Sequence, residues 1–280
     1  MNILTFDLEE WFHYDMISGN GEWENYEVRI DRDTDRVLAL LADHDTKATF
    51  FCLGWVASRH PGIIRQIVEA GHEVGCHSYL HEPAFKMNRD QFTSDTERAV
   101  KSIEDITGKK INLYRAPAFS ITASNTWAFE VLAQLGIEID CSILPASHDY
   151  GGFPSFGNTG PVQIEYKGHR MKEFPINTTR FAGRDLVFSG GGFFRIMPYL
   201  FIRSRMKRSI YVMTYFHPRD FDPQLPVLKH LPLRRQIKSR AGLKGAYRKL
   251  DRMLRDFDFM NVEQANRVMD WDRVKTIRLD

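Results

Sequence analysis

The chain has 280 residues, of which 43% are hydrophobic and 26% charged, with a formal net charge of +2. That composition is ordinary for a soluble globular protein and suits one large domain or two small ones. Its most apolar run, IMPYLFI at 196–202, is far shorter than the ~20 residues of a membrane helix, and the N-terminal MNILTFDLEEWF lacks the basic and apolar regions of a secretory signal. Cys52, Cys76 and Cys141 are scattered and form no C-x-x-C pair, which argues against a disulfide framework or a cysteine zinc site. The cytoplasm is the expected compartment.

NILTF reads as a short buried strand that ends at a cluster of acids. TDRVLALLADHD has helical apolar spacing, and KATFFCLG is again a compact apolar, β-rich run. PGIIRQIVEAG opens on proline and closes on glycine, the punctuation of a helix, and HEVGCHS is the next strand. A long amphipathic helix follows in RDQFTSDTERAVKSIEDITG, then a strand in INLYRAP, a helix in TASNTWAFEVLAQLG and a strand in IEIDCSI. This alternation predicts a parallel α/β fold, either barrel or doubly wound sheet, as a single domain over 1–280. Its core is expected at about 1–145 and 185–222. Residues 146–190 read as a loop-rich insertion carrying the strands VQIEY and RMKEFPI. SIYVMTYFH returns as a core strand, and basic helices follow within about 230–258.

In α/β folds reactive groups gather at the C-terminal ends of parallel strands. Four such ends carry unusual groups here: Asp7, Glu9 and Glu10 in TFDLEE, His77 and His81 in GCHSYLH, Arg115 in LYRAPAF, and His217 in YVMTYFHP. Imidazoles at i and i+4 share one face of a helical turn, so the histidine pair reads as a metal site or as two solvated side chains. One carboxylate with two imidazoles completes a three-ligand set that leaves positions for water and substrate. A second carboxylate can act as base, an arginine can keep it ionised, and a further histidine can protonate a leaving group.

The ordered set TFDLEE, HSYLH, RAPAF and YFH resembles the polysaccharide deacetylases of carbohydrate esterase family four, the NodB-homology domain. The opening FDLEEWF, together with GGGFFRIMPY and YFHPRDFD, is similar to a branch met in exopolysaccharide and surface-glycan loci. The resemblance implies a distorted (β/α) barrel and N-deacetylation of amino sugars in a glycan or a glycan precursor. It implies Asp7 as base, Arg115 as its partner, His217 as acid, and Glu9, His77 and His81 as ligands of one divalent ion. Zinc is the first expectation, with Co2+, Ni2+ or Fe2+ also suited to such ligands. Leu8 stands where relatives place a second aspartate, and an apolar side chain cannot bind metal; residues two apart on a strand share a face, so Glu9 takes that role, with exchange of the Asp7 and Glu9 roles or ligation by Glu10 left open. Hydrolysis of another C–N bond on the same fold, or a decayed glycan-binding scaffold, are the competing readings.

Trp11 and His13 follow the acids closely enough to line a cleft, or they belong to the core. Ala118 and Phe119, in the turn after Arg115, are expected against the substrate, with a backbone N–H near Ala118 facing the developing oxyanion. Asp140 shapes the cleft, orients a histidine, or simply forms a turn. SGGGFF at 189–194 permits close backbone approach to a ligand or a tight turn. Charge is lopsided: residues 203–255 hold fifteen Lys or Arg against three acids. This block suits peripheral contact with an anionic membrane surface at the inner face, where a lipid-linked glycan precursor would be met, or a solvated helical face; no nucleic-acid motif accompanies it.

Overall fold

The computed structural model describes residues 1–279 except 15–21, 148–150, 182, 228 and 230. β1 (Asn2–Ile3) and β2 (Thr5–Leu8) are followed by α1 (Ile30–Asp43), β3 (Thr49–Cys52), α2 (Gly54–Arg59), α3 (Pro61–Glu69) and β4 (Glu73–Cys76). Next come α4 (Arg89–Thr107), β5 (Leu113–Tyr114), α5 (Ala128–Gln134), β6 (Ile139–Asp140), β7 (Val162–Tyr166) and β8 (His169–Glu173). The chain continues through β9 (Thr179–Phe181), β10 (Arg184–Leu186), α6 (Gly191–Ile196), α7 (Tyr199–Arg208) and β11 (Val212–Met213). It closes with α8 (Leu233–Arg240), α9 (Leu243–Asp256), α10 (Val262–Val268) and β12 (Thr276–Arg278).

The main sheet has the order β12-β7-β8-β6-β5-β4-β3-β2 and is parallel except for the β7–β8 hairpin. β2 and β3 are buried along their whole length, as expected of strands covered by helices on α/β crossovers. Asp7 pairs with Phe51 and Phe51 with Gly75, while Cys76 pairs with Tyr114, Tyr114 with Asp140, and Asp140 with Glu173. The parallel strands therefore finish along one edge, which brings the residues after them together. Beyond β2 the segment 212–216 continues the layer: β1 pairs with β11, and the Asp7 N–H donates to the Phe216 carbonyl at 2.7 Å. Among the described residues the ladder does not close into a ring, in keeping with the distorted (β/α) barrel of the NodB-homology type that the resemblance implies. No helix among the described residues is long and apolar enough to cross a membrane.

VQIEY and RMKEFPI supply the expected strands, β7 and β8, and β8 joins the main sheet directly beside β6. SIYVMTYFH is a regular strand only at Val212–Met213. The Thr5 N–H there donates to the Thr214 hydroxyl at 3.0 Å, a side-chain partner in place of a ladder carbonyl.

Candidate active site

Glu9, His77 and His81 each offer a ligand atom, and these atoms lie within 4.8 Å of one another. All three are buried. The histidines do not meet on a helix, contrary to the i, i+4 reading. They lie in the loop after β4, where Ser78 and His81 adopt left-handed backbone with φ of 66° and 58°, and their rings end 5.3 Å apart. Residues other than glycine rarely hold that conformation, and it concentrates where a site over-determines the backbone.

His77 Nδ1 lies 2.7 Å from the Arg115 carbonyl, which can only accept; Nδ1 therefore carries the proton and Nε2 is left as a lone pair. Burial pushes the His77 pKa down to about 4, which keeps the ring neutral as a ligand must be. His81 Nε2 abuts Glu9 Oε2, yet that oxygen has no hydrogen bond of good geometry among the described residues. Burial acts to raise the Glu9 pKa, but Arg219, then His81 and His217, outweigh it and hold the carboxyl well below its usual range. A buried carboxylate with two imidazoles is a donor set suited to a divalent ion, so the residues present fit one.

Asp7 lies beside this cluster. Its Oδ1 accepts from Arg115 Nη1 at 2.8 Å, and Arg115 is wholly buried, also donating to the Cys141 carbonyl at 3.2 Å. His217 Nε2 lies 4.0 Å from Asp7 Oδ2 and 3.3 Å from Glu9 Oε1. Its Nδ1 lies 2.9 Å from Asp220 Oδ2, and Arg195 Nε holds the other oxygen of Asp220 at 3.3 Å. Burial opposes ionisation of Asp220, but His217 and Arg195 outweigh it and keep the carboxyl far below its ordinary value. Arg219 ion-pairs with Glu9 and donates to the Glu10 carbonyl at 3.1 Å. Arg195, Arg219 and Asp220 were not singled out in the sequence. The H-x-x-D spacing of His217 and Asp220 was their one local signal; the arginines come together only in three dimensions.

One cavity is lined by Asp7, Glu9, His77, His81, Ala118 and Phe119 together with Phe193, Ile196, Tyr215, His217, Arg219 and Lys238. Ala118 and Phe119 reach it through left-handed backbone, with φ of 52° and 54°. Trp11 instead borders a neighbouring pocket beside His217, and its indole N–H donates to the Glu27 carbonyl at 2.9 Å. His13 does not line the cleft: it is fully buried between Trp23 and Trp55, with Nδ1 accepting from the Glu10 N–H at 3.1 Å. Asp140 does not reach the cavity either. It is buried beside Glu173 and accepts from the Ser142 hydroxyl and N–H at 2.5 and 3.1 Å, while Ser142 Oγ accepts from the Ala116 N–H at 2.8 Å. Asp140 thus braces the strand end behind Arg115 rather than touching a ligand. Glu10 turns away from the cluster as well: its Oε1 accepts from the Arg29 and Ile30 N–H groups at 2.7 and 3.0 Å and so caps the start of α1.

Fold and site together describe an α/β protein with an ionisable cluster gathered at its strand ends. Residues 15–139 match the polysaccharide deacetylase family, and the chain carries a domain of that family; residues 141–267 match a domain of unknown function, DUF3473. His77, His81 and Arg115 fall inside the first match, Asp7 and Glu9 precede it, and His217 lies in the second. The chain is 29% identical over 119 residues to a peptidoglycan-N-acetylglucosamine deacetylase of Bacillus cereus, covering 40% of this chain and 43% of that protein. It is 35% identical over 89 residues to a bifunctional xylanase/deacetylase of Pseudobutyrivibrio xylanivorans, covering 31% of this chain and 15% of the relative. The matches thus span less than half the length of these curated relatives. A crystal structure of a candidate polysaccharide deacetylase from Mycobacterium smegmatis superposes over 98% of this chain and 91% of its own, with a TM-score of 0.65 at 18% identity. A pseudoenzyme of carbohydrate esterase family 4 from Bacillus anthracis superposes over 99% of this chain and 66% of its own, with a TM-score of 0.51 at 16% identity. A pseudoenzyme shares the fold, so the fold alone does not establish activity.

Proposed function

We propose that this protein hydrolyses the N-acetyl group of an amino sugar within a glycan or glycan precursor, using one divalent cation held by Glu9, His77 and His81. Zinc suits the ligand set best, and Co2+, Ni2+ or Fe2+ are the alternatives. A cation bound there would supply polarisation of the amide carbonyl and a lowered pKa for the attacking water. Asp7, ion-paired to Arg115, takes the water proton at Oδ2, the oxygen that Arg115 leaves open. The Ala118 backbone, on the cavity wall, stabilises charge developing on the former carbonyl oxygen. His217 donates a proton from Nε2 to the departing amine nitrogen, while Asp220 keeps Nδ1 protonated and the ring oriented. Acetate and a free amino sugar result. Action in the cytoplasm on a lipid-linked glycan precursor belongs to the same reading, supported by the basic helices beside the cavity.

The carrying observation is the convergence at one sheet edge of three ligand side chains, an arginine-paired carboxylate and an aspartate-anchored histidine. Acetate release from N-acetylated chito-oligosaccharides and peptidoglycan fragments, measured on the zinc-loaded protein, tests the reading. Metal uptake without release from any N-acetylated glycan would turn the reading toward another C–N bond. Failure to take up metal at all would leave a glycan-binding scaffold.

A further inference from the structure

Helices α6, α7 and α8 carry a surface that their own packing does not explain. Five of the ten large apolar side chains exposed among the described residues lie on them: Phe193, Ile196, Leu200, Leu233 and Ile237. No residue of α8 is buried, yet Leu233 and Ile237, one helical turn apart, are 70% and 63% exposed. The charge that these helices themselves carry has one sign, although Asp256 of α9 ion-pairs with Arg203 of α7 at 2.7 Å. Residues 186–219 and 223–250 contain six and eight Lys or Arg and no Asp or Glu. Asp220 and Asp222, which fall between the two stretches, are buried in ion pairs with Arg195 and Arg29.

The surface adjoins the site. Arg195 on α6 donates to the Ser239 and Lys238 carbonyls of α8 at 2.6 and 3.3 Å, joining the two helices. Phe193, Ile196 and Lys238 belong to the wall of the cavity that holds the three ligand residues. Apolar side chains interleaved with cations are the pattern of helices that lie in a bilayer interface, where the apolar groups enter the acyl boundary and the cations meet phosphates. A protein interface has a core depleted of lysine, and a second copy would bring like charges face to face.

We infer that α6, α7 and α8 form a docking surface for an anionic lipid bilayer, with the mouth of the cavity turned toward the headgroups. Lipid binding stands independently of the catalytic reading; delivery of a lipid-linked, N-acetylated glycan into the cavity rests on it. Sedimentation with phosphatidylglycerol/phosphatidylcholine vesicles, against phosphatidylcholine alone, tests the surface. Binding to the anionic vesicles and its steep decline with salt are expected, because screening shortens to about a Debye length.

The double variant Leu233→Asp/Ile237→Asp should weaken binding on the order of tenfold or more. Each cation near an anionic leaflet contributes about fivefold, so Arg234→Glu/Arg240→Glu should weaken it by at least about 25-fold. These four side chains lie outside the catalytic cavity, and acetate release from a soluble N-acetylated oligosaccharide should be unchanged in both variants. Equal binding to neutral and anionic vesicles, no binding, or binding unaffected by either variant overturns the inference. A dimer in sedimentation velocity that Leu233→Asp/Ile237→Asp abolishes, without vesicle binding, assigns the face to a second copy and overturns it too. Vesicle binding without acetate release from the wild type would strike the deacetylase reading and leave the docking surface standing.

Discussion

Glu9 is pressed between His81, Arg219 and His217, and its carboxylate is the most heavily contested group in the site. In the proposed site His77 and His81 would supply two of only three protein ligands, and a site reduced to two holds divalent ions poorly. His77→Ala or His81→Ala is therefore expected to lose most bound metal, and full occupancy by elemental analysis in either variant would remove the assignment. The proposal gives Asp7 and Glu9 separable roles because, of the two carboxylates, Arg115 pairs with Asp7 while the imidazoles surround Glu9. Asp7→Asn should keep its metal and lose about 10²–10⁴ in rate, the usual contribution of a general base. Glu9→Gln should lose both metal and activity. An Asp7→Asn protein that arrives empty of metal would exchange the two assignments.

At the scale of elements, the glycine run before α6 shows how the second half of the chain shapes the site. A Cβ on Gly190 would fall 2.1 Å from the Tyr215 carbonyl oxygen and 2.5 Å from its ring, on the segment that carries His217. The glycine thus serves close approach to the protein's own strand end, two residues before the candidate acid. Gly190→Ala forces Tyr215 aside and should cost about 2–3 kcal/mol, in the range of overpacked cores, with a parallel fall in rate. Gly192→Ala meets only the Arg195 guanidinium, at 3.5 Å, and should be nearly neutral. Urea denaturation of the two variants measures the contrast, and equal stabilities would refute the packing account.

Across the whole molecule, Glu73 at the start of β4 ties the two halves together. Its Oε2 accepts from the Thr49 hydroxyl and from the Glu263 N–H at 3.1 Å, at the start of α10. Burial raises its pKa to about 7 against the backbone and hydroxyl donors. A carboxyl whose folded pKa is raised binds its proton more tightly in the native state. Its contribution is fully present below its unfolded pKa of about 4.5 and is lost as pH rises through about 7. After allowance for partial exposure, this group should cost about 2 kcal/mol of stability between pH 5 and 8. Denaturant unfolding at both pH values should show that loss shrinking in Glu73→Gln, and an unchanged loss would place its origin elsewhere.

The chain's local chemistry settled much by itself. Alternating apolar runs and helix punctuation marked most elements through Asp140, and Asp7, Glu9, His77, His81, Arg115 and His217 stood out because reactive residue types fell at predicted strand ends. Leu8, buried in the core between Asp7 and Glu9, behaves as the two-residue strand period requires. Tertiary structure decided the rest. His77 and His81 converge through a left-handed loop, which depends on the packing around it rather than on an i, i+4 spacing. For His13 and Asp140 the sequence leaves cleft and interior both open, because proximity in sequence says nothing about which wall a side chain faces, and the structure buries both away from the cavity. Arg195 reaches Asp220 across 25 positions, and Arg219 reaches Glu9 across 210. Ion pairs at such separations leave no periodic trace in a sequence; they exist only after hydrophobic burial has brought the two halves of the sheet together.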